Sequence, residues 1–205
     1  MEVSLNKSSL SKAKLMLYGV KDGFPKAFSR ALNKTANNTK TEMVKLVRRD
    51  YNYKAAAVRK RITVNKATYA NLSSSVKSTG DHVHLTDIAG TRQTKKGVSV
   101  NVKKSTGIKL IPRAFKAPGQ RSGKDIIFRR PGNPRGQHEK LYGRYGPPGS
   151  GGKIGSRARL DTFSAPHPEI VYNTPENWAR LQKAADQKLS TNFAHEVDVV
   201  LKGIA

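Results

Sequence analysis

FPKAFSRALNKTANNTKTEMVKLVRRDY, residues 24–51, is the stretch whose reading decides the fold. Phe24, Phe28, Ala31, Leu32, Thr35, Ala36, Thr39, Met43, Leu46 and Val47 recur every three or four residues. That spacing is one apolar stripe of an amphipathic helix, and Pro25 is tolerated in its first turn. At ~1.5 Å per residue such a helix reaches about 40 Å, long for a chain of this size. The stripe is rich in Ala and Thr, side chains small enough to let a neighbouring backbone or subunit come close.

On its N-terminal side, Leu10, Leu15, Met16 and Leu17 suit a short helix or a strand, and Gly19 ends either. On its C-terminal side, Asn52 marks a turn, and Lys54–Ile62 reads as a shorter helix with Ala57, Val58 and Ile62 on one face. From Ile62 to Arg130 the apolar period changes to two. Thr68–Ser78, Val83–Ile88, Val98–Val102, Ile108–Ile111 and Ile126–Phe128 are strand-like, separated by Gly80, Gly90, Gly97 and Gly107. In Val98–Val102 apolar and polar residues alternate as in a half-buried strand, and the basic stretch 91–96 before it reads as a hairpin-like loop. Turns, not helices, link these strands, so the sheet is expected to be antiparallel. Residues 117–160 hold 10 of the 17 glycines and 5 of the 10 prolines, the composition of an extended arm.

The chain ends in a second helical seam: Trp178, Leu181, Ala185, Leu189, Phe193, Val197, Val200 and Ile204. Thr174 suits its N-cap, Pro175 its first position, Glu176 the dipole there, and Gly203 its end. The expected fold class is α+β: a long N-terminal helix and a C-terminal helix packed on a mainly antiparallel β-sheet, with a Gly/Pro-rich basic arm. In domain terms, residues 1–23 form an N-terminal segment and 24–130 a helix-plus-sheet core. The arm occupies 131–165, and the helical segment 166–205 completes the core.

Composition narrows the function. The 205 residues include 39 Lys+Arg against 14 Asp+Glu, a net charge of +25. Such a charge favours polyanionic partners but says nothing about fold. It is unevenly spread: residues 1–87 carry 17 basic and 6 acidic side chains, 88–160 carry 18 and 2, and 161–205 carry 4 and 6. Cysteine is absent, which excludes thiol nucleophiles, Cys-based zinc sites and disulfides. No apolar run approaches the ~18 residues of a membrane span, so no membrane partner is expected. The opening MEVSLNKSSLSKAKL lacks the apolar stretch and cleavage site of a secretory signal.

Chemical motifs are sparse. Gly149-Ser150-Gly151-Gly152-Lys153 lacks the first glycine and the following Ser/Thr of a phosphate loop, with Pro147 and Ile154 in those places, and reads as a linker. His82 and His84 share a strand face near Asp81 and Asp87, yet no third histidine lies close, so they read as surface histidines. Neither a Gly-x-Ser-x-Gly elbow nor an HExxH helix occurs. The expectation is no catalytic residue, no cofactor and no metal. The basic clusters carry more weight: Lys95, Lys96, Lys103, Lys104, Arg113, Arg121, Arg129 and Arg130 are candidate contacts to DNA phosphates or to acidic partners. Arg48-Arg49 and Arg59-Lys60-Arg61 add to the charge. Phe115, Phe128, Tyr142 and Tyr145 are not interleaved with them as in a known RNA-binding module.

In its segment order and in four blocks the chain resembles the minor tail protein Z family of tailed bacteriophages and prophages, also called tail completion proteins. The blocks are AFSRALNKTANNTKTEMVKLVRRDYN (27–52), KAAAVRKRITVNKAT (54–68), LTDIAGTRQTKKGVSVNVKK (85–104) and IPRAFKA (111–117), followed by the C-terminal helix from Thr174. The Gly/Pro-rich insert at 131–165 departs from that pattern. The resemblance implies a non-enzymatic virion protein acting late in tail assembly, at the head-proximal end. Proteins of that region form rings, here expected to be hexameric, beside other tail and neck proteins. They are located in the virion, and in the host cytoplasm during assembly. Double-stranded DNA in the lumen is a further candidate partner. Closed rings need one patch to meet a different patch on the next copy. Trp178, Leu181, Leu189 and Phe193 are the candidate subunit-interface residues. The alternative reading is a free-standing, non-specific nucleic-acid-binding protein, whose binding would fall steeply with salt.

Overall fold

The computed structural model describes residues 7–79, 83–119, 123–129 and 161–203. By contacts the chain divides into two compact units, 1–81 with 166–205, and 82–165. The first unit is continuous across the second: the Thr79 carbonyl accepts a 2.7 Å hydrogen bond from His167 Nε2, and the Pro166 carbonyl accepts one from the Tyr53 hydroxyl. The points where the chain leaves and re-enters unit 1 are therefore tied side by side, which is how an inserted unit is accommodated.

Unit 1 is built on two long helices. Helix α1 (Lys7–Met16) is followed by α2 (Gly23–Asp50), 28 residues that match the expected stripe. Helix α3 (Ala55–Lys60) is shorter than the sequence predicts, because Ile62 opens a strand instead of closing the helix. Strands β1 (Ile62–Asn65) and β2 (Ser75–Ser78) pair antiparallel, Ile62 opposite Ser78. Of the strand expected over 68–78 only the last four residues are extended in a ladder. The preceding loop is held instead by Asn33 of α2, whose amide exchanges two hydrogen bonds with the Ala67 backbone, at 3.0 and 2.8 Å. After the short α4 (Glu169–Tyr172) comes α5 (Pro175–Leu201), 27 residues long.

Helices α2 and α5 pack against each other, and α1 lies across their end. Ala13, Leu17, Ala27, Ala31, Leu189, Phe193, Val197 and Val200 are buried together there. Phe193 meets Phe24 and Phe28 edge-on, at 6.2 and 5.6 Å between ring centres, while Phe24 and Phe28 stack at 5.5 Å. Such aromatic pairs add to area burial and fix the register of the two helices. Glu196 is buried in this unit and pairs with Lys34. Asn192 donates to the Thr35 hydroxyl at 3.0 Å, so the small-residue stripe takes up its polar neighbours. Thr174 and Pro175 sit where the sequence predicts, but the Thr174 hydroxyl turns back to the Ile170 carbonyl and leaves the cap role unfilled. Gly203, at φ +69°, ends the helix in the left-handed conformation that glycine adopts without penalty.

Unit 2 is made of short strands. Strand β3 (Val83–His84) runs into one 3-10 turn, Leu85–Asp87, where the sequence predicts continued strand. Strands β4 (Arg92–Thr94), β5 (Gly97–Val100) and β6 (Lys109–Pro112) form an antiparallel sheet in that order. Half of the loop expected at 91–96 is thus strand, Arg92–Thr94, and Lys95 with Lys96 makes the turn. Strand β7 (Ala114–Pro118), which carries no clean alternation, pairs with β8 (Asp125–Arg129), Phe115 opposite Phe128. Strand β9 (Asp161–Thr162) adds to β8, and β10 (Ser164–Ala165) pairs with β3. Four of the last five residues assigned to the arm are therefore strand, and the remainder of it, 131–160, lies outside the described residues, as does the 149–153 loop.

The α+β class holds, with the sheet divided into four small antiparallel pieces. The two long helices bury their apolar stripes chiefly on one another. Most of the α2 face that holds Ala27, Ala31, Thr35, Ala36, Thr39, Met43 and Val47 meets α5, and the remainder packs on α3, α4, β1 and β2.

Candidate functional site

Two surfaces stand out, one in each unit. In unit 2, the β4–β5 turn consists of two lysines, Lys95 and Lys96, both exposed. Gly97 must follow them: its φ is +149°, and a Cβ there would lie 2.1 Å from the Ile111 carbonyl oxygen. The register sets Gly97 opposite Pro112, so Arg113 arrives beside the turn, and its backbone N–H donates to the Lys96 carbonyl at 3.1 Å. Arg113 itself holds φ +59°, a conformation that costs a non-glycine residue about 1–3 kcal/mol. Lys95, Lys96 and Arg113 therefore form one cluster of positive charge at one end of the sheet.

Lys103 and Lys104 do not join that cluster. They sit between β5 and β6, at the end of the sheet where Val100 faces Lys109, a strand's length away. Arg129 is half-buried at the end of β8, its guanidinium carbon 5.1 Å from the centre of the Phe163 ring, an internal cation–π contact. Lys116 pairs with Asp125 at 2.8 Å. Arg121 and Arg130 lie outside the described residues. Of the eight basic residues singled out from the sequence, three meet, two stand apart from them, and one is engaged within the fold.

In unit 1, an open apolar groove of about 320 Å³ runs between α2, α5 and β2. Thr35, Ala36, Thr39 and Met43 form one wall, Leu181, Ala185 and Leu189 another, and Val76 with Lys77 the rim. Trp178, 40% exposed, stands at this groove. Of the four interface candidates, Leu181, Leu189 and Phe193 are buried within the chain's own helix pair, and Trp178 alone presents much surface.

What the sequence did not single out is the corner between α1 and α2. Leu15, Met16, Tyr18 and Val20 are 77, 52, 91 and 38% exposed, four large apolar side chains within six residues. The signal was available: LMLYGV has more apolar residues than one short helix face can bury, and only Leu17 turns inward.

Among the described residues, three groups have clearly shifted acidity. Burial pushes the Tyr53 and Tyr172 phenols well above their ordinary pKa, with Tyr51 reinforcing the shift at Tyr53 and Arg61 opposing it. Asp50, bonded to Arg49 at 3.0 Å, raises the Arg49 guanidinium further. Among the described residues no three His, Asp or Glu side chains gather as metal ligands, and no helix is long and apolar enough to cross a membrane.

Comparison with known proteins gives one clear result. The family described as prophage minor tail protein Z (GPZ) matches residues 9–204, nearly the whole chain, spanning both units. Neither a curated protein nor a solved structure matches.

Proposed function

This chain belongs to the prophage minor tail protein Z family and is a structural protein of the phage tail, hence of the virion; from that membership we propose that it assembles as a ring at the head-proximal end of the tail. Its work there is completion of the tail and joining to the neck, by assembly and not by catalysis. The ring is hexameric, its neighbours are other tail and neck proteins, and DNA passes through its lumen. The host cytoplasm is where the part is made and added.

The observation that supports the DNA-facing role is the Lys95–Lys96–Arg113 cluster, formed where the β4–β5 turn meets the end of β6, with no acidic residue in that turn. Basic side chains near duplex DNA displace condensed counterions, so binding to the backbone needs no base-reading module.

The test is genetic and structural. Phage lacking this protein should make tails that fail to give infectious particles until the purified protein is added. A particle map should then show it as a ring at the upper end of the tail. A strictly monomeric protein that restores nothing overturns the reading.

A further inference from the structure

The exposed corner at Leu15–Val20 and the groove between α2, α5 and β2 are both apolar, both in unit 1, and far apart on it. The corner precedes Gly23, and the groove's α2 wall runs from Leu32 to Met43, about 14 to 30 Å further along the helix. None of the corner's exposed side chains lines the chain's own groove. We infer that the Leu15–Val20 corner of one copy seats in the groove of the next, giving a head-to-tail contact. This rests on the ring reading above and names the surfaces that would close it.

Three observations favour a second copy as the occupant. The first is area: at their exposures the four corner side chains present on the order of 500 Å², within the size range of functional apolar patches on a monomer. That is more than half of the ~800 Å² per partner in a standard interface, and each subunit of a ring uses both its corner and its groove. The second is shape. The groove is open and about 320 Å³, room for a few apolar side chains. A turn carrying Leu15, Met16 and Tyr18 supplies that many. The third is that the surfaces are unlike: the corner protrudes, with Leu15 and Tyr18 largely exposed, whereas the groove is a recess lined mostly by small and aliphatic side chains, with Lys77 as the one charged residue of its lining. The two patches differ, so the contact is heterologous and propagates into a ring or a filament instead of stopping at a dimer.

The test uses the full chain in sedimentation velocity. Tyr18→Asp removes the corner, with Leu15→Asp as a second variant; both positions are exposed, so the fold stays, as far-ultraviolet circular dichroism would confirm. Trp178→Glu blocks the groove at its mouth, with Ser75→Trp as a second variant on an exposed strand position that lines it. Wild type should sediment as an oligomer, and each variant alone as a 22.5 kDa monomer. Mixed one to one, a corner variant and a groove variant retain one intact corner and one intact groove between them. They should give a species of twice the monomer mass and nothing larger. Oligomeric wild type with equally oligomeric variants overturns this contact and leaves the ring intact. A mixture that stays monomeric also overturns it. Monomeric wild type at the highest soluble concentration overturns the ring itself, and this contact with it.

Discussion

Unit 1 and unit 2 are built on opposite terms. Unit 1 sets two helices of 28 and 27 residues side by side and buries a continuous seam, with aromatic rings keyed at 5.5–6.2 Å. Unit 2 has strands of two to five residues, a core drawn from small aliphatics such as Val83, Val98, Val100 and Ile127, and exposed lysines at both ends of its central sheet. A domain's stability comes mainly from apolar burial. Unit 1 is therefore held mainly by side-chain burial along its helices, and unit 2 by turns and ladders, with its lysines exposed. The difference teaches where to look for each kind of mutational effect: volume matters in one unit, and backbone conformation and charge in the other.

The largest expected effect breaks the helix packing of unit 1. Phe193→Ala deletes the ring that both Phe24 and Phe28 meet, leaving a cavity between α2 and α5. Such truncations cost about 3–5 kcal/mol. The single tryptophan, Trp178, belongs to unit 1, so its fluorescence in a urea titration reports this loss directly. Amide hydrogen exchange at Val98 and Val100 should change little. Equal loss of protection there would mean that the two units unfold as one, and the contrast between them would fail.

Next in size is the converse. Gly97→Ala forces a Cβ toward the Ile111 carbonyl in a conformation that L-residues rarely adopt. Strain and overpacking together should cost roughly 2–4 kcal/mol, expressed in unit 2. Exchange at the β5 amides should accelerate while the Trp178 transition keeps its midpoint. A shift of that midpoint by a comparable amount would erase the distinction from the other side.

The same contrast explains what was legible in the sequence. Helices α2 and α5 were readable because a period of 3.6 sustained over seven turns has few rival explanations. Strand β5 was readable from its period of two, and β8 from the short apolar run Ile126–Phe128. β1 and β7 were not: Ile62 looks like the last apolar residue of a helix, and Ala114–Pro118 carries no clean alternation of apolar and polar side chains. Their extension is fixed by partners, Ile62 against Ser78 and Ala114 against Arg129, that lie many residues away. At the candidate sites, charge was visible but grouping was not. That Lys95, Lys96 and Arg113 meet while Lys103 and Lys104 stand apart depends on the register of Gly97 against Pro112. The buried fate of Leu189 and Phe193 was likewise unreadable, because a helix seam looks the same whether it faces its own chain or another copy.

A smaller effect comes with pH and belongs to unit 1. Burial raises the phenol pKa of Tyr53 and of Tyr172 in the folded chain above the value near 10 expected when unfolded. The folded state then holds protons that the unfolded state gives up. Their contribution to stability is intact below about pH 10 and falls as the pH rises through and beyond that value. In a spectrophotometric titration of the seven tyrosines, these two should ionise late and together with unfolding, not with the exposed Tyr18 and Tyr69. If all seven titrated as one group near pH 10, the burial described for Tyr53 and Tyr172 would be wrong.

The smallest effect on stability should accompany the sharpest effect on binding. Lys95→Glu with Lys96→Glu touches only exposed side chains in a turn whose backbone is fixed by Gly97, so stability should change by less than about 0.5 kcal/mol. If both lysines sit on phosphates, each contributes about 0.9 to the slope of log affinity against log salt, and the double variant should lose about 2 from that slope on duplex DNA. A core residue such as Phe193 offers no equivalent, since truncating it lowers the amount of folded protein without altering how the remainder responds to salt. An unchanged slope would move the partner of this hairpin from DNA to an acidic protein surface in the tail or neck. The charge on the unit 2 turn would then serve assembly and not the DNA path.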